Sequence, residues 1–519
     1  MAMAQGRQRG QVGRRLALSL LVASSLLQSA CDWELYHLYN SVPMPGSADA
    51  PATVYVYIGV DGLDIEALHA ARAEGAYPEA TWSLAASIAM FPATSFTSWT
   101  RILRTEPLPG FEYEYYDPVA DKVVNHGDAG LITHIVPPLE VLGLESSAYY
   151  RAFDHHANGY LDVISNYSSP FQSMGRGLDD LFYVLDSRTQ DSPTFAAYIP
   201  HTDILGHSYD PSEMAAAAIE IWQRIASFRS RHPEREFIFT LFSDHGMNFT
   251  PNPPERLVQL DEVMEQVGVT VADSLQDRQQ EDGLVAVPIL HSRVTYVGLH
   301  TFPEQAVAVS SRLSSGDGVD LVICRGEAPA LQGADRLDLS WYQLWRDESL
   351  LAQFAYDGSQ DEYLLPRATD WSIFGVDLAP GGGSNPDLAA YSDEDLFGFS
   401  ATSDYPDMFY RVRTGFEPIS VVWPPQVLVS FELGWVSSGF SLGSVTDSIA
   451  SEASHGALLR EGSTGVLLTQ ERGLPTTVRS DNLLDFFPNL SRHITEQRGL
   501  QLYPGDSGSG LDYQEVPWD

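Results

Sequence analysis

Residues 236–246 read EFIFTLFSDHG, and this stretch decides the fold. Its apolar run forms a strand too hydrophobic to leave one face in water, so both faces are covered, as in a parallel sheet packed between helices. The run stops at Ser243, and Asp244 and His245 follow at its carboxyl end. The same grammar occurs twice upstream. Residues 52–60 read ATVYVYIGV and end at Asp61-Gly62, and residues 194–199 read TFAAYI and deliver Asp203 and His207 within PHTDILGH. Helical spacing follows over 63–73, and again over 213–229 behind the start signal Asp210-Pro211-Ser212. The pattern predicts an α/β protein, a three-layer α/β/α sandwich with a mostly parallel central sheet and an inserted cap region. Open sheets of this kind bind ligands at the carboxyl ends of their strands, where these acids and histidines fall.

Composition narrows the partners. The 519 residues carry 69 Asp plus Glu against 30 Lys plus Arg, a formal charge of −39. Nucleic-acid binding is not expected, because holding a phosphate backbone needs clustered cations. With 44% apolar and 19% charged residues the chain is far from a disordered polyanion.

The amino-terminal segment reads as a leader. Arg7, Arg9, Arg14 and Arg15 precede an apolar stretch over 16–27, which is too short to span a bilayer as a helix. It ends in Leu-Gln-Ser-Ala-Cys at residues 27–31, a sequence that resembles a bacterial lipobox with Cys31 as the lipidated residue. The expected organisation is a signal peptide over 1–31, a linker over 32–50, a catalytic domain over 51–502 with an insertion at about 255–450, and a flexible tail over 503–519. The expected location is the bacterial periplasm or cell surface, with membrane contact through a lipid on Cys31. Only one other cysteine exists, Cys324, so no intramolecular disulfide is expected if Cys31 is acylated or removed.

Taken singly, an acid after a strand is often only a turn former or helix cap. Together, carboxylates and imidazoles at three strand ends are the donor set of an open zinc site. The order Asp61-Gly, a hydroxyl-bearing segment, Asp203-x-x-Gly-His207, Asp244-His245-Gly and His455-Gly resembles the alkaline phosphatase superfamily, in its type I phosphodiesterase/nucleotide pyrophosphatase branch. That resemblance implies two divalent metal ions, zinc by preference. Asp61, Asp244 and His245 would hold one ion, and Asp203, His207 and His455 the other. It also implies a nucleophilic hydroxyl bridging them within FPATSFTSWT at residues 91–100, with Ser95 favoured and Thr94 the alternative. The implied substrate is a small phosphate ester.

Departures from the family pattern bear on substrate. Relatives carry an Asn before Tyr-Asp-Pro that binds a phosphoryl oxygen, and here that position falls near Tyr113, between two glutamates. Arg104 or Arg101 is the nearest candidate to supply positive charge. The expected activity is phosphodiester hydrolysis. The alternatives are a phosphomonoesterase and a non-catalytic surface lipoprotein that keeps the fold as a binding module. Sulfatase chemistry is disfavoured, since no Cys/Ser-x-Pro-x-Arg motif occurs. The acidic stretch containing Asp393, Asp395 and Asp404 is expected to form solvated turns rather than a calcium site.

Overall fold

The computed structural model describes residues 51–112, 114–125, 148–157, 169–189, 192–250, 256–276, 283–291, 294–329, 339–377, 387–437 and 453–503. The leader, Cys31, the linker, Tyr113 and nearly all of the tail lie outside these residues.

A seven-stranded sheet organises the site. Its order is Thr477–Arg479, Ser83–Ile88, Thr464–Thr469, Glu236–Phe242, Thr53–Val60, Thr194–Ile199 and His155–His156. Thr53–Val60 pairs in parallel with Thr194–Ile199 on one side and Glu236–Phe242 on the other, while Thr464–Thr469 runs against both of its neighbours. The three ligand-bearing strands are therefore adjacent. Their ends are also in step, because Val60 pairs with Ile199 and Gly59 with Phe242. Parallel pairing of apolar runs thus sets Asp61, Asp244, His245 and the segment after Ile199 on one sheet edge.

Both faces of this sheet are covered. Val54, Val56, Ile58 and Val60 pack with residues of the Ile65–Ala73, Pro170–Arg188 and Pro211–Arg231 helices, whereas Tyr57 of the same strand packs with Trp99, Ile102 and Leu483. Two-residue alternation divides one strand between two cores. The helix over 63–73 begins at Ile65, since Asp64 caps it by accepting from the Ala67 amide at 2.8 Å. Asp210 caps the Pro211–Arg231 helix in the same way through the Ser212 amide, as the sequence predicts.

Residues 269–431 contribute a second sheet of nine strands, whose outer strands are Val269–Val271 and Leu388–Ser392. It is antiparallel except where Leu284–Ile289 meets Val269–Val271. The Ala306–Leu313 helix packs against Val322, Cys324 and Val429, while the Met408–Gly415 helix packs on the side that includes Leu321, Ile323 and Leu428. An inner strand of this sheet leads to the site. The Thr295 amide, just before the Tyr296–Thr301 strand, donates to the His455 carbonyl at 2.8 Å.

The acidic stretch differs from the sequence expectation. Asp393 is buried and paired with Arg479 rather than solvated, which satisfies a guanidinium that lies 1% exposed. Among the described residues no helix is long and apolar enough to cross a membrane.

Candidate active site

Strand ends bring the carboxylates in. Asp61 follows the central strand, and its Oδ2 accepts a hydrogen bond from the Tyr198 hydroxyl of the neighbouring strand. Asp244 Oδ1 accepts from the Gly62 amide at 3.1 Å, so the turn after one strand orients the acid after the next. Gly62 has φ +64°, and a Cβ there would lie 3.1 Å from Asp203 Cα, so glycine suits both the conformation and the space. Asp203 and His207 come from a short helix, His201–Ser208, whose i, i+4 spacing sets His207 Nε2 3.5 Å from Asp203 Oδ1.

The three histidines share one arrangement. Nδ1 of His207 faces the Ala453 carbonyl at 2.9 Å, Nδ1 of His245 faces the Gly246 carbonyl at 2.9 Å, and Nδ1 of His455 faces the Ala93 carbonyl at 2.8 Å. A ring nitrogen facing a carbonyl carries the proton, which leaves each Nε2 with its lone pair. Those lone pairs point at carboxylate oxygens. His245 Nε2 is 3.3 Å from Asp244 Oδ2 and 3.5 Å from Asp61 Oδ1, and His455 Nε2 is 3.6 Å from Asp203 Oδ1. Acceptors converge, and Asp203 Oδ1 and Asp244 Oδ2 have no hydrogen-bond partner among the described residues.

A cation satisfies this geometry, and two groups of ligand atoms lie within 4.8 Å of one another: Asp61, Asp244 and His245, and Asp203, His245 and His455. The first is the set implied by the resemblance. The second shares Asp203 and His455 with the other implied set and adds His245, whose ring stacks on His455 with centroids 3.8 Å apart, while His207 approaches the same carboxylate, its Nε2 3.5 Å from Asp203 Oδ1 and its ring 5.3 Å from that of His455. Burial shifts the titrations as it must where ions lack a counterion. Asp61 is raised well above the carboxylate range by burial and then by Asp244 and Asp203, and Asp244 is raised to about 7, mainly by burial. Burial pushes His245 well below the ordinary imidazole value, and His455 down as well.

The hydroxyls divide clearly. Ser95 opens the Ser95–Ile102 helix, and its Oγ lies 3.1 Å from Asp61 Oδ1 and 3.2 Å from His245 Nε2. Thr94 is fully buried, and its Oγ1 bonds Thr97 Oγ1 at 2.8 Å and the Phe111 carbonyl at 3.1 Å. It gives the helix no side-chain cap, and no acid stands in the first turn. A helix start of this kind favours an anion.

Arg104 turns elsewhere, its Nη2 donating to Asp485 and to the Asp481 carbonyl at 3.4 Å. Arg101 is buried, and its Nη2 donates to Asp481 Oδ2 at 2.7 Å. The sequence reading missed Tyr198, and it missed the buried setting of Glu112. Alternation within TFAAYI is the signal that turns Tyr198 away from the Phe195 face. Burial raises Glu112 to about 8, against a hydrogen bond with Thr94 that lowers it, and the charge of Asp203 adds to the rise.

No curated protein matches the chain. Among solved structures it is similar to human ectonucleotide pyrophosphatase/phosphodiesterase 5, at 10% identity and a TM-score of 0.43, covering 87% of this chain and 96% of that one. It is similar in the same coverage to the murine protein, at 10% identity and a TM-score of 0.42, and to an inactive variant of the murine protein in complex with AMP, at 10% identity and 0.43. Asp203, His207, Asp244 and His245 fall within the segment matched by a family model, whereas Asp61 and His455 are brought to them by the fold. The chain is similar to the type I phosphodiesterase/nucleotide pyrophosphatase family, whose model matches residues 83–319.

Proposed function

We propose that the protein hydrolyses phosphate esters, phosphodiesters first, with Ser95 as the nucleophile. The observation that carries this reading is the Ser95 hydroxyl, set at a helix start against Asp61 and His245. The phosphodiesterase family match over residues 83–319 supports the diester over the monoester.

Asp61, Asp244 and His245, with Asp203, His207 and His455, would hold two divalent ions, zinc by the nitrogen and oxygen donors, and such ions would supply positive charge against the ester and lower the hydroxyl pKa. The chain's own residues do the rest. The Ser95 hydroxyl donates toward Asp61 Oδ1, which would take its proton as Oγ forms a bond to phosphorus and the ester P–O bond breaks, the leaving oxygen taking a proton from water. The Tyr198 hydroxyl holds the other Asp61 oxygen, so the acceptor cannot rotate away. The helix start receives a phosphoryl oxygen. Water then cleaves the Ser95 phosphoester and returns the hydroxyl. The leader supports action outside the cytoplasm with Cys31 lipidated.

Hydrolysis of p-nitrophenyl phosphate and of its bis-ester, each by the purified chain, tests the substrate class. Faster turnover of the bis-ester is expected. Turnover of the monoester alone would reverse the preference, and turnover of neither would favour the binding-module reading.

A further inference from the structure

The Met408–Gly415 helix is buried along its whole length although it carries Tyr410, Arg411 and Arg413. Its residues reach three parts of the candidate site. Tyr410 and Arg101 both bond Asp481 Oδ2, and Arg101 Nη2 also donates to the Tyr410 hydroxyl at 3.1 Å, which ties down the last turn of the serine helix. Arg411 donates from Nη1 to the Leu458 carbonyl at 2.7 Å and from Nη2 to the Ala457 carbonyl at 3.2 Å, just beyond His455. Gly415 lies under the loop before Ser95, since a Cβ on it would be 2.7 Å from the Phe91 carbonyl. One helix therefore touches the serine loop, the serine helix and the His455 loop.

The helix is itself anchored. Asp407 precedes it with φ +52° and receives Arg479 through two bonds, Nε to Oδ2 at 2.6 Å and Nη2 to Oδ1 at 2.8 Å. Arg411 also donates to the Pro406 carbonyl at 3.2 Å. A buried guanidinium that spends its hydrogen bonds on carbonyls is a poor choice for stability alone, since a well-packed apolar side chain often serves as well or better. Its geometric yield is specific. The Ala457 and Leu458 carbonyls that it grips adjoin Gly456, with φ +114°, and His455, whose Nδ1 reaches back to the Ala93 carbonyl two residues before Ser95.

We infer that Arg411 is a positioning residue: it fixes the Ala457–Leu458 carbonyls and so holds the His455 imidazole against Asp203, while Tyr410 holds the serine helix through Arg101 and Asp481. This rests on the reading of the site proposed above. Arg413 serves as the internal control. It lies on the same helix, and its guanidinium sits over the Tyr356 ring at 3.9 Å and the Tyr410 ring at 5.3 Å, so it controls for the grip on the Ala457 and Leu458 carbonyls and not for the part of Tyr410.

The test titrates the full chain with zinc against a chromophoric chelator, alongside thermal melts and bis-p-nitrophenyl phosphate kinetics. Arg411→Met is expected to weaken zinc binding about 10- to 100-fold, the usual effect of losing an outer support. Arg411→Lys keeps the charge, loses the two-carbonyl fork and falls in the same direction, which covers the case in which the Met variant does not fold. Tyr410→Phe lowers kcat with KM and zinc affinity unchanged. Arg413→Met lowers the melting temperature and leaves zinc affinity at the wild-type value. Wild-type zinc affinity in Arg411→Lys overturns the inference alone. Absence of zinc binding by the wild-type chain overturns it together with the proposed function.

Discussion

Ser95 Oγ lies 3.2 Å from His245 Nε2, on a ring whose Nδ1 is committed to the Gly246 carbonyl at 2.9 Å. The hydroxyl therefore faces a lone pair and the Asp61 carboxylate, while its neighbour Thr94 faces a carbonyl and another threonine. Ser95→Ala is expected to lower kcat by roughly three orders of magnitude or more, with the fold intact. Thr94→Ala should keep most of the activity and lose about 1–2 kcal/mol of stability from its buried hydrogen bonds. Kinetics and urea unfolding of the two variants check this, and loss of turnover in Thr94→Ala alone would reassign the nucleophile.

His245 belongs to both groups of converging ligand atoms, whereas His207 stands outside both, its Nε2 3.5 Å from Asp203 Oδ1. His245→Ala should therefore lose more bound zinc per chain than His207→Ala, as measured by atomic spectrometry after dialysis. Equal losses would restore the simpler division of the ligands into two separate triplets.

Gly59 lies in the central strand beneath the serine helix. A Cβ there would stand 2.8 Å from the Trp99 ring, which is wedged edge-on against Phe153, Tyr198 and Phe242. Gly59→Ala should destabilise the protein by about 1–3 kcal/mol through overpacking. Because Trp99 rides on the serine helix, kcat should fall as well. An unchanged kcat would mean that the helix yields without moving Ser95.

His300 is 5% exposed, and burial lowers it to about 3 from 6.5. Below 6.5 the unfolded chain takes up a proton that the folded chain refuses. Stability from this residue is thus complete above 6.5 and is lost as pH falls from there toward 3. At pH 5 the loss is about 2 kcal/mol. His300→Gln should lose that much less stability between pH 7.5 and pH 5 in urea titrations, and parallel losses in both proteins would refute the assignment.

The legible part of the molecule was local. Each of Asp61, Asp203, His207, Asp244 and His245 stands just after an apolar run whose double burial is written in consecutive residues, and strand pairing converts that shared position into proximity. His455 has no such run before it and is held by contacts to Ala93 and Thr295, more than a hundred residues away. The nine-stranded sheet was equally hard to read. Its hairpins are local, but the Val427–Phe431 strand inserts between Val319–Gly326 and Tyr296–Thr301, a pairing that no spacing in the chain announces. Asp393 looked like a surface turn because its partner, Arg479, is remote in sequence. Side-chain partners set by tertiary packing, such as Arg411 with Leu458, leave no periodic trace.

In the proposed reaction Ser95 and the converging carboxylates and imidazoles act together in metal-dependent ester hydrolysis. The most direct measurement is bis-p-nitrophenyl phosphate turnover by the wild-type chain before chelation, after chelation and after zinc is returned, with Ser95→Ala carried in parallel. Activity is expected to be lost on chelation, to recover on zinc return, and to be absent throughout in the variant. Turnover that survives complete removal of metal, or that persists in Ser95→Ala, would contradict it.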